Sequence, residues 1–181
     1  MNTIENMVIK GFTKKYYFET LGGPVCICNP FNVYWSGSLE EGGDYWGVLN
    51  ILNKPNTSRV ISYLIENEEY LIFNSENAGF YLCETKEGKL ALLEIFYISE
   101  EANINEFEFP VFDDLNMRIN FPQGFILFDS SLAMNDLPIE KETSKVDEGV
   151  YNFFNSNMTC FKIERLLLKN DDIHLEGILF S

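Results

Sequence analysis

His174 is the only imidazole in the chain. Any Ser-His-Asp or Cys-His arrangement would have to use it. It follows Asp171-Asp172 in a stretch that reads as a surface turn, and no Gly-x-Ser-x-Gly elbow occurs. Nucleophilic catalysis therefore has little to build on. Carboxylates are more plentiful: Glu66, Glu68 and Glu69, Glu100-Glu101, Asp113-Asp114 and Asp171-Asp172 all fall near predicted strand ends. A glycosidase-like or metal-binding pair would be drawn from these. Neighbouring acids in loops more commonly form a solvated face. Cys26 and Cys28 lie two apart, so on a strand they share one face. With a single histidine, a Cys/His zinc site lacks ligands, and the thiols read as small buried hydrophobes. Gly22-Gly23 and Gly42-Gly43 match no phosphate-cradling pattern, and Lys14-Lys15 makes no basic stripe. No catalytic, cofactor-binding or metal-ligating residue is assigned.

Shape is the stronger signal. Gly22-Gly23-Pro24 suits a tight turn, because Gly permits positive φ and Pro fixes its own. Trp35-Ser36-Gly37 pairs a large ring with a residue lacking a side chain, as a packing device would. Gly22, Gly23, Pro24, Trp35 and Gly37 form the structural motif. Glu40, Glu41, Asp44, Tyr45 and Trp46 follow, with Tyr34 just before. If exposed, these acids and aromatics make an anchor-plus-charge patch for a protein partner; if buried, the aromatics are core. Trp35 reads as core. Trp46 fits either role.

The elements that would position these residues are mostly strands. Tyr16–Thr20 and Pro24–Cys28 read as the first two. Asp44 is a plausible N-cap for a short helix over Tyr45–Leu52, with apolar residues at Tyr45, Val48, Leu49 and Leu52. Strands are expected at Arg59–Ile65, Glu69–Phe73, Gly79–Thr85, Lys89–Ile98, Glu106–Phe109, Asn116–Phe121 and Gly124–Asp129. A long polar loop, Ser130–Glu148, precedes strands at Val150–Asn155, Thr159–Lys169 and Ile173–Phe180. The expected fold is mainly β, with antiparallel sheets and one short helix near 45–52. A weak internal match sets Leu71–Ser75 against Ile126–Ser130 and Gly79-Phe80-Tyr81 against Gly149-Val150-Tyr151. It points to two related halves, about 69–98 and 124–169, within a single domain of 1–181. Chance matching among Phe-, Tyr- and Gly-rich strands is the competing account.

Composition limits the partners. Hydrophobic residues make up 46% and aromatics 15% of 181 residues, enough for a real core. Thirteen Lys and Arg against 28 Asp and Glu leave a net charge of −15. That field repels nucleic acid and anionic membrane and favours a basic protein. It also serves plain solubility. The absence of a signal-peptide pattern in Met1–Lys10 and the cysteines within apolar runs point to a reduced cytoplasm. No run approaches the roughly 20 apolar residues of a membrane helix.

Gly22-Gly23-Pro24, Trp35-Ser36-Gly37, Asp44-Tyr45, Leu127-Phe128-Asp129 and Gly149-Val150-Tyr151 together resemble the Imm21 family, immunity proteins of bacterial polymorphic toxin systems. The resemblance runs from about Tyr16 to Leu166. Trp35 and Gly37 match the family's W-x-G motif. Tyr45 opens its Y-x-x-x-C motif, whose fifth position here is Leu49. The resemblance implies a mostly β protein that neutralises a cognate toxin made by the same cell. It supplies no catalytic residues. Two other readings stand beside it: a small enzyme using surface carboxylates, and a non-catalytic regulatory β-domain.

Overall fold

The computed structural model describes residues 12–30, 34–39, 41–85, 87–99, 111–122, 124–133, 150–154 and 160–181. Among the described residues it is mainly β, with eleven strands and one helix. The chain divides into two compact units. One comprises Met1–Glu19, Gly79–Ile119 and Phe161–Ser181, the other Thr20–Ala78 and Asn120–Cys160.

The first unit is built on a six-stranded sheet. Its strands are β1 (Phe12–Glu19), β5 (Gly79–Thr85), β6 (Leu90–Ile98), β7 (Val111–Asn120), β10 (Cys160–Lys169) and β11 (Ile173–Phe180), in the order β1-β5-β6-β11-β10-β7. β6 begins with five buried residues in succession, as expected of a central strand covered on both faces. Most of β10 alternates between buried and more exposed residues, the pattern of a strand with one wetter face. Tyr81, Cys83, Ala91, Leu93, Leu166, Leu168, Ile173, Leu175 and Leu179 form its buried cluster. Two tight turns join neighbouring strands of this sheet. Gly88 has φ +79° in the β5–β6 hairpin. The Asn170 side-chain oxygen accepts the Asp172 and Ile173 N–H groups between β10 and β11, both at 2.8 Å.

The second unit carries a five-stranded sheet and the helix. The strands are β2 (Val25–Cys28), β3 (Val60–Ile65), β4 (Glu68–Phe73), β8 (Phe125–Asp129) and β9 (Val150–Phe154), in the order β3-β4-β2-β8-β9. β2 is central and buried throughout. It pairs antiparallel with both β4 and β8, so Cys26 stands opposite Ile72 on one side and Phe128 on the other. Glu66 and Asn67, at φ 50° and 68°, make the two-residue turn from β3 to β4. Two successive left-handed residues are what a tight hairpin of this twist requires.

Several boundaries differ from the sequence reading. The helix α1 is Asp44–Leu52, and Gly43 rather than Asp44 is its N-cap. β1 starts at Phe12 and β7 at Val111, each several residues earlier than expected. Cross-strand pairing extends both beyond what their own patterns show. The expected strand Glu106–Phe109 and most of the loop 130–148 lie outside the described residues. The two stretches joined by the internal match go to different places: Gly79-Phe80-Tyr81 opens β5 in the six-stranded sheet, whereas Val150-Tyr151 opens β9 in the five-stranded one. Leu71–Phe73 and Ile126–Asp129, by contrast, lie in the two strands that flank β2.

Cys26, Cys28 and Cys83 are buried free thiols, and Cys160 is free and exposed. Burial, with Cys28 and Asp44 nearby, pushes the Cys26 thiol well above its ordinary range. A thiol held protonated and away from solvent does not attack reagents. Cys160 alone should therefore react with a thiol-specific chromophore in the native protein, and all four cysteines after unfolding. Counting thiols with and without denaturant checks this. More than one rapid equivalent in native buffer would contradict the core assignment.

Candidate functional site

The second unit places its unusual residues around Trp35. The indole is buried at 1% exposure among Cys26, Cys28, Val48, Leu52, Tyr70, Ile72, Ile126 and Phe128. Its ring meets Tyr70 at 5.4 Å, Tyr63 at 6.1 Å and Phe128 at 6.3 Å between centroids. Its Nε1–H donates to the Ser130 carbonyl at 2.8 Å. A buried indole needs such a partner, and here the backbone just beyond β8 supplies it.

That bond draws residues 35–38 across the chain that follows β8. Ser38 donates to the Ser131 carbonyl through its N–H at 2.9 Å and its hydroxyl at 3.0 Å. Gly37 lies between, at φ +69°, and a Cβ there would stand 2.7 Å from the backbone of Ser131, Leu132 and Ala133. Both the left-handed backbone and the contact demand glycine.

Ser36 starts the helix. Its hydroxyl accepts the Asp44 N–H at 2.9 Å and donates to Asp44 Oδ2 at 2.9 Å, and its own N–H reaches the same oxygen at 3.0 Å. A residue eight positions away thus satisfies a free donor of the first turn, the work usually done by an N-cap side chain. The Asp44 carboxylate also lies at the positive end of the helix.

The Gly-Gly-Pro turn is tied at both flanks. Buried Asp129 accepts the Leu21 N–H at 2.6 Å on one oxygen and the Ser131 N–H at 2.9 Å on the other. Ser75 donates to the Gly23 carbonyl at 2.6 Å, and the Ser130 N–H donates to the Pro24 carbonyl at 3.0 Å. Gly22 takes φ +91°, and Gly23 lies beneath the Tyr45 ring.

On this base sits a rim of solvent-facing groups. Trp46 is 44% exposed. Its Nε1–H donates to the Ser38 carbonyl at 3.1 Å, and its ring stands edge-on to Tyr45 at 5.2 Å. Leu39 is 84% exposed, and Glu41 is exposed beside it in the chain. Tyr45 is half-buried against the core, Asp44 is engaged with Ser36, and Glu40 lies outside the described residues. Of the residues picked from sequence as partner-binding, Glu41 and Trp46 face solvent. Asp44 and Tyr45 hold the base. Ser36, Leu39 and Asp129 were not singled out as site residues. An apolar strand ending abruptly in Asp129 was the one available clue.

Groups with chemical potential elsewhere are structurally occupied. His174 stacks on Phe96 at 4.4 Å, with Nε2 at 2.9 Å from Glu176, which Arg165 also approaches at 3.3 Å. It belongs to β11 rather than to the turn preceding it. Lys162 bridges Asp114 at 3.0 Å and Glu164 at 2.9 Å, and the hydrogen bond from Lys162 holds the Glu164 carboxyl below its usual range. Asp172 accepts the Ser99 hydroxyl. Among the described residues no three His, Cys, Asp or Glu side chains form a metal-binding group, and no helix is long and apolar enough to cross a membrane.

No family model, curated protein or solved structure matches the chain.

Removing the Trp35 ring should cost about 3–5 kcal/mol, the range for deleting a buried aromatic. Gly37→Ala should also destabilise, because the added methyl meets backbone rather than a flexible side chain. Ser36→Ala should cost about 1 kcal/mol, the usual effect of losing a helix cap. Chemical denaturation of the three variants checks the order Trp35 above Ser36. A Trp35→Ala protein with normal stability would overturn the role assigned to the ring.

Proposed function

We propose that this chain is an immunity protein of the Imm21 kind, which binds a basic toxin domain and covers its active site. The observation that carries the reading is Trp46: a large ring, part-exposed, yet held at both ends by Ser38 and Tyr45. Trp and Tyr dominate the energetics of protein interfaces, and a ring already fixed in place loses little freedom on binding. Exposed Leu39 adds apolar area, and Glu41 adds charge. The W-x-G residues that prompt the family resemblance, Trp35 and Gly37, lie directly beneath this rim. The net charge of −15 supplies long-range attraction for a basic partner. Inhibition on this reading is steric and needs no catalytic group.

The decisive experiment co-expresses the chain with the toxin domain encoded beside its gene. Growth should be rescued, and the purified proteins should form a stable complex. Trp46→Ala should weaken that complex by about 2 kcal/mol, roughly thirty-fold, without lowering the melting temperature. Glu41→Lys should slow association, and wild-type association should slow as salt rises, since exposed charges are screened beyond about 10 Å at 0.1 M. Asp44→Lys is not a clean probe of binding, because it also breaks the Ser36 contact. A neighbouring gene product that is not toxic, or one the chain fails to neutralise, would refute the proposal.

A further inference from the structure

β3 ends the five-stranded sheet, and among the described residues it pairs only with β4. The Arg59 carbonyl accepts the Asn74 N–H at 2.6 Å, which fixes the phase of the ladder. By antiparallel alternation, the backbone groups of Ile61, Tyr63 and Ile65 turn toward β4, and those of Val60, Ser62 and Leu64 turn away. The Val60 N–H is taken by the Ser58 hydroxyl at 3.2 Å. The N–H and C=O groups of Ser62 and Leu64 thus point outward from the sheet.

The other edges are guarded as natural sheets guard theirs. β1 has an extra residue between its Phe12 and Lys14 pairings. β7 carries exposed Asp114 and Arg118, with Asn116 at φ 51° interrupting the extended backbone. β9 has an extra residue between its pairings to Phe125 and Leu127. β3 has none of these. It reads Val-Ile-Ser-Tyr-Leu-Ile, without charge or proline, in unbroken register with β4 from Val60↔Phe73 to Ile65↔Glu68. Leu64 is 67% exposed on it.

We propose that β3 is an acceptor edge on which the basic partner adds a strand, bonding to the backbone of Ser62 and Leu64. The inference builds on the toxin-binding reading, which supplies a basic partner. Charge selects the occupant. Glu66, Glu68 and Glu69 cluster at the end of β3, with Glu66 exposed, so a segment bearing an apolar residue beside Leu64 and Lys or Arg beyond it fits both features. A second copy of the chain would bring another −15 to the same edge.

The probe is an end-capped peptide of eight residues alternating Val and Lys, with a Val/Glu peptide as its counterpart. Hydrogen exchange followed by NMR should show the Ser62 and Leu64 amides slowed at least tenfold by the Lys peptide and unaffected by the Glu peptide. Leu64→Pro removes an outward N–H without removing a bond to β4, so the sheet should persist while peptide binding is lost. Leu64→Lys, which keeps the strand and repels a basic segment, guards against misfolding of the proline variant. Equal protection by both peptides would overturn the charge argument. A concentration-dependent dimer abolished by Leu64→Lys would make a second copy the occupant and overturn the proposal. Full neutralisation of the toxin by both folded variants would overturn the edge as the toxin's docking site and leave the toxin-binding reading standing. A wild-type protein whose Ser62 and Leu64 amides are slowed by the Lys peptide but which fails to neutralise the toxin would sink that reading and leave the acceptor edge in place.

Discussion

The bond from the Trp35 indole to the Ser130 carbonyl is the constraint from which the second unit follows. Both groups are buried, so losing either partner would strand the other at a cost of about 1–3 kcal/mol. Making the bond brings residues 35–38 against residues 130–133, nearly a hundred positions later. Only glycine tolerates the approach at position 37. Once the crossing is made, Ser36 is placed to start the helix through Asp44, and the Ser38 carbonyl is placed to hold Trp46. The short W-S-G motif therefore does three separate jobs, one per residue.

A second set of ties works through the sheet. β4 and β8 flank β2 and run the same way, so both finish beside the turn that feeds β2. Ser75 and Asp129, just past or at the ends of those strands, hold that turn from its two sides. This arrangement explains why two polar residues sit buried at the ends of apolar runs. Each satisfies backbone groups that a tight Gly-Gly-Pro turn cannot pair within itself.

Stability in the first unit rests on apolar burial more than on charge. Among the described residues, the ion pairs of Lys162 with Asp114, Lys89 with Glu87 and Arg165 with Glu176 each keep at least one partner exposed, where solvent screens the attraction, while Lys162 with Glu164 and His174 with Glu176 are more enclosed. Asp114, Glu176 and the lone histidine are engaged in strand-to-strand contacts. On the second unit, part-exposed Trp46 and exposed Leu39 lie in a protein of net charge −15, which is the basis for the binding proposal.

The amino-acid sequence by itself determined the class of structure. Aromatic content and alternation specified strands, Asp171-Asp172 marked a turn, and the helical spacing of Val48, Leu49 and Leu52 located the helix within one residue. It also pointed to the burial of Trp35 and the glycine at 37, because a large ring beside a missing side chain has a local meaning. It did not reveal which strands share a sheet. Gly79-Phe80-Tyr81 and Val150-Tyr151 look alike but enter different sheets, since pairing depends on partners far along the chain. Nor could it separate exposed Trp46 from buried Trp35, or predict that Ser36 would outrank Asp44 as the group that starts the helix. Those outcomes belong to tertiary structure, for the physical reason that the nearer contacts of Ser36 with Asp44 and of Ser38 with Trp46 are placed by the bond from Trp35 to Ser130, 95 residues away. No window of sequence contains both sides of such a contact.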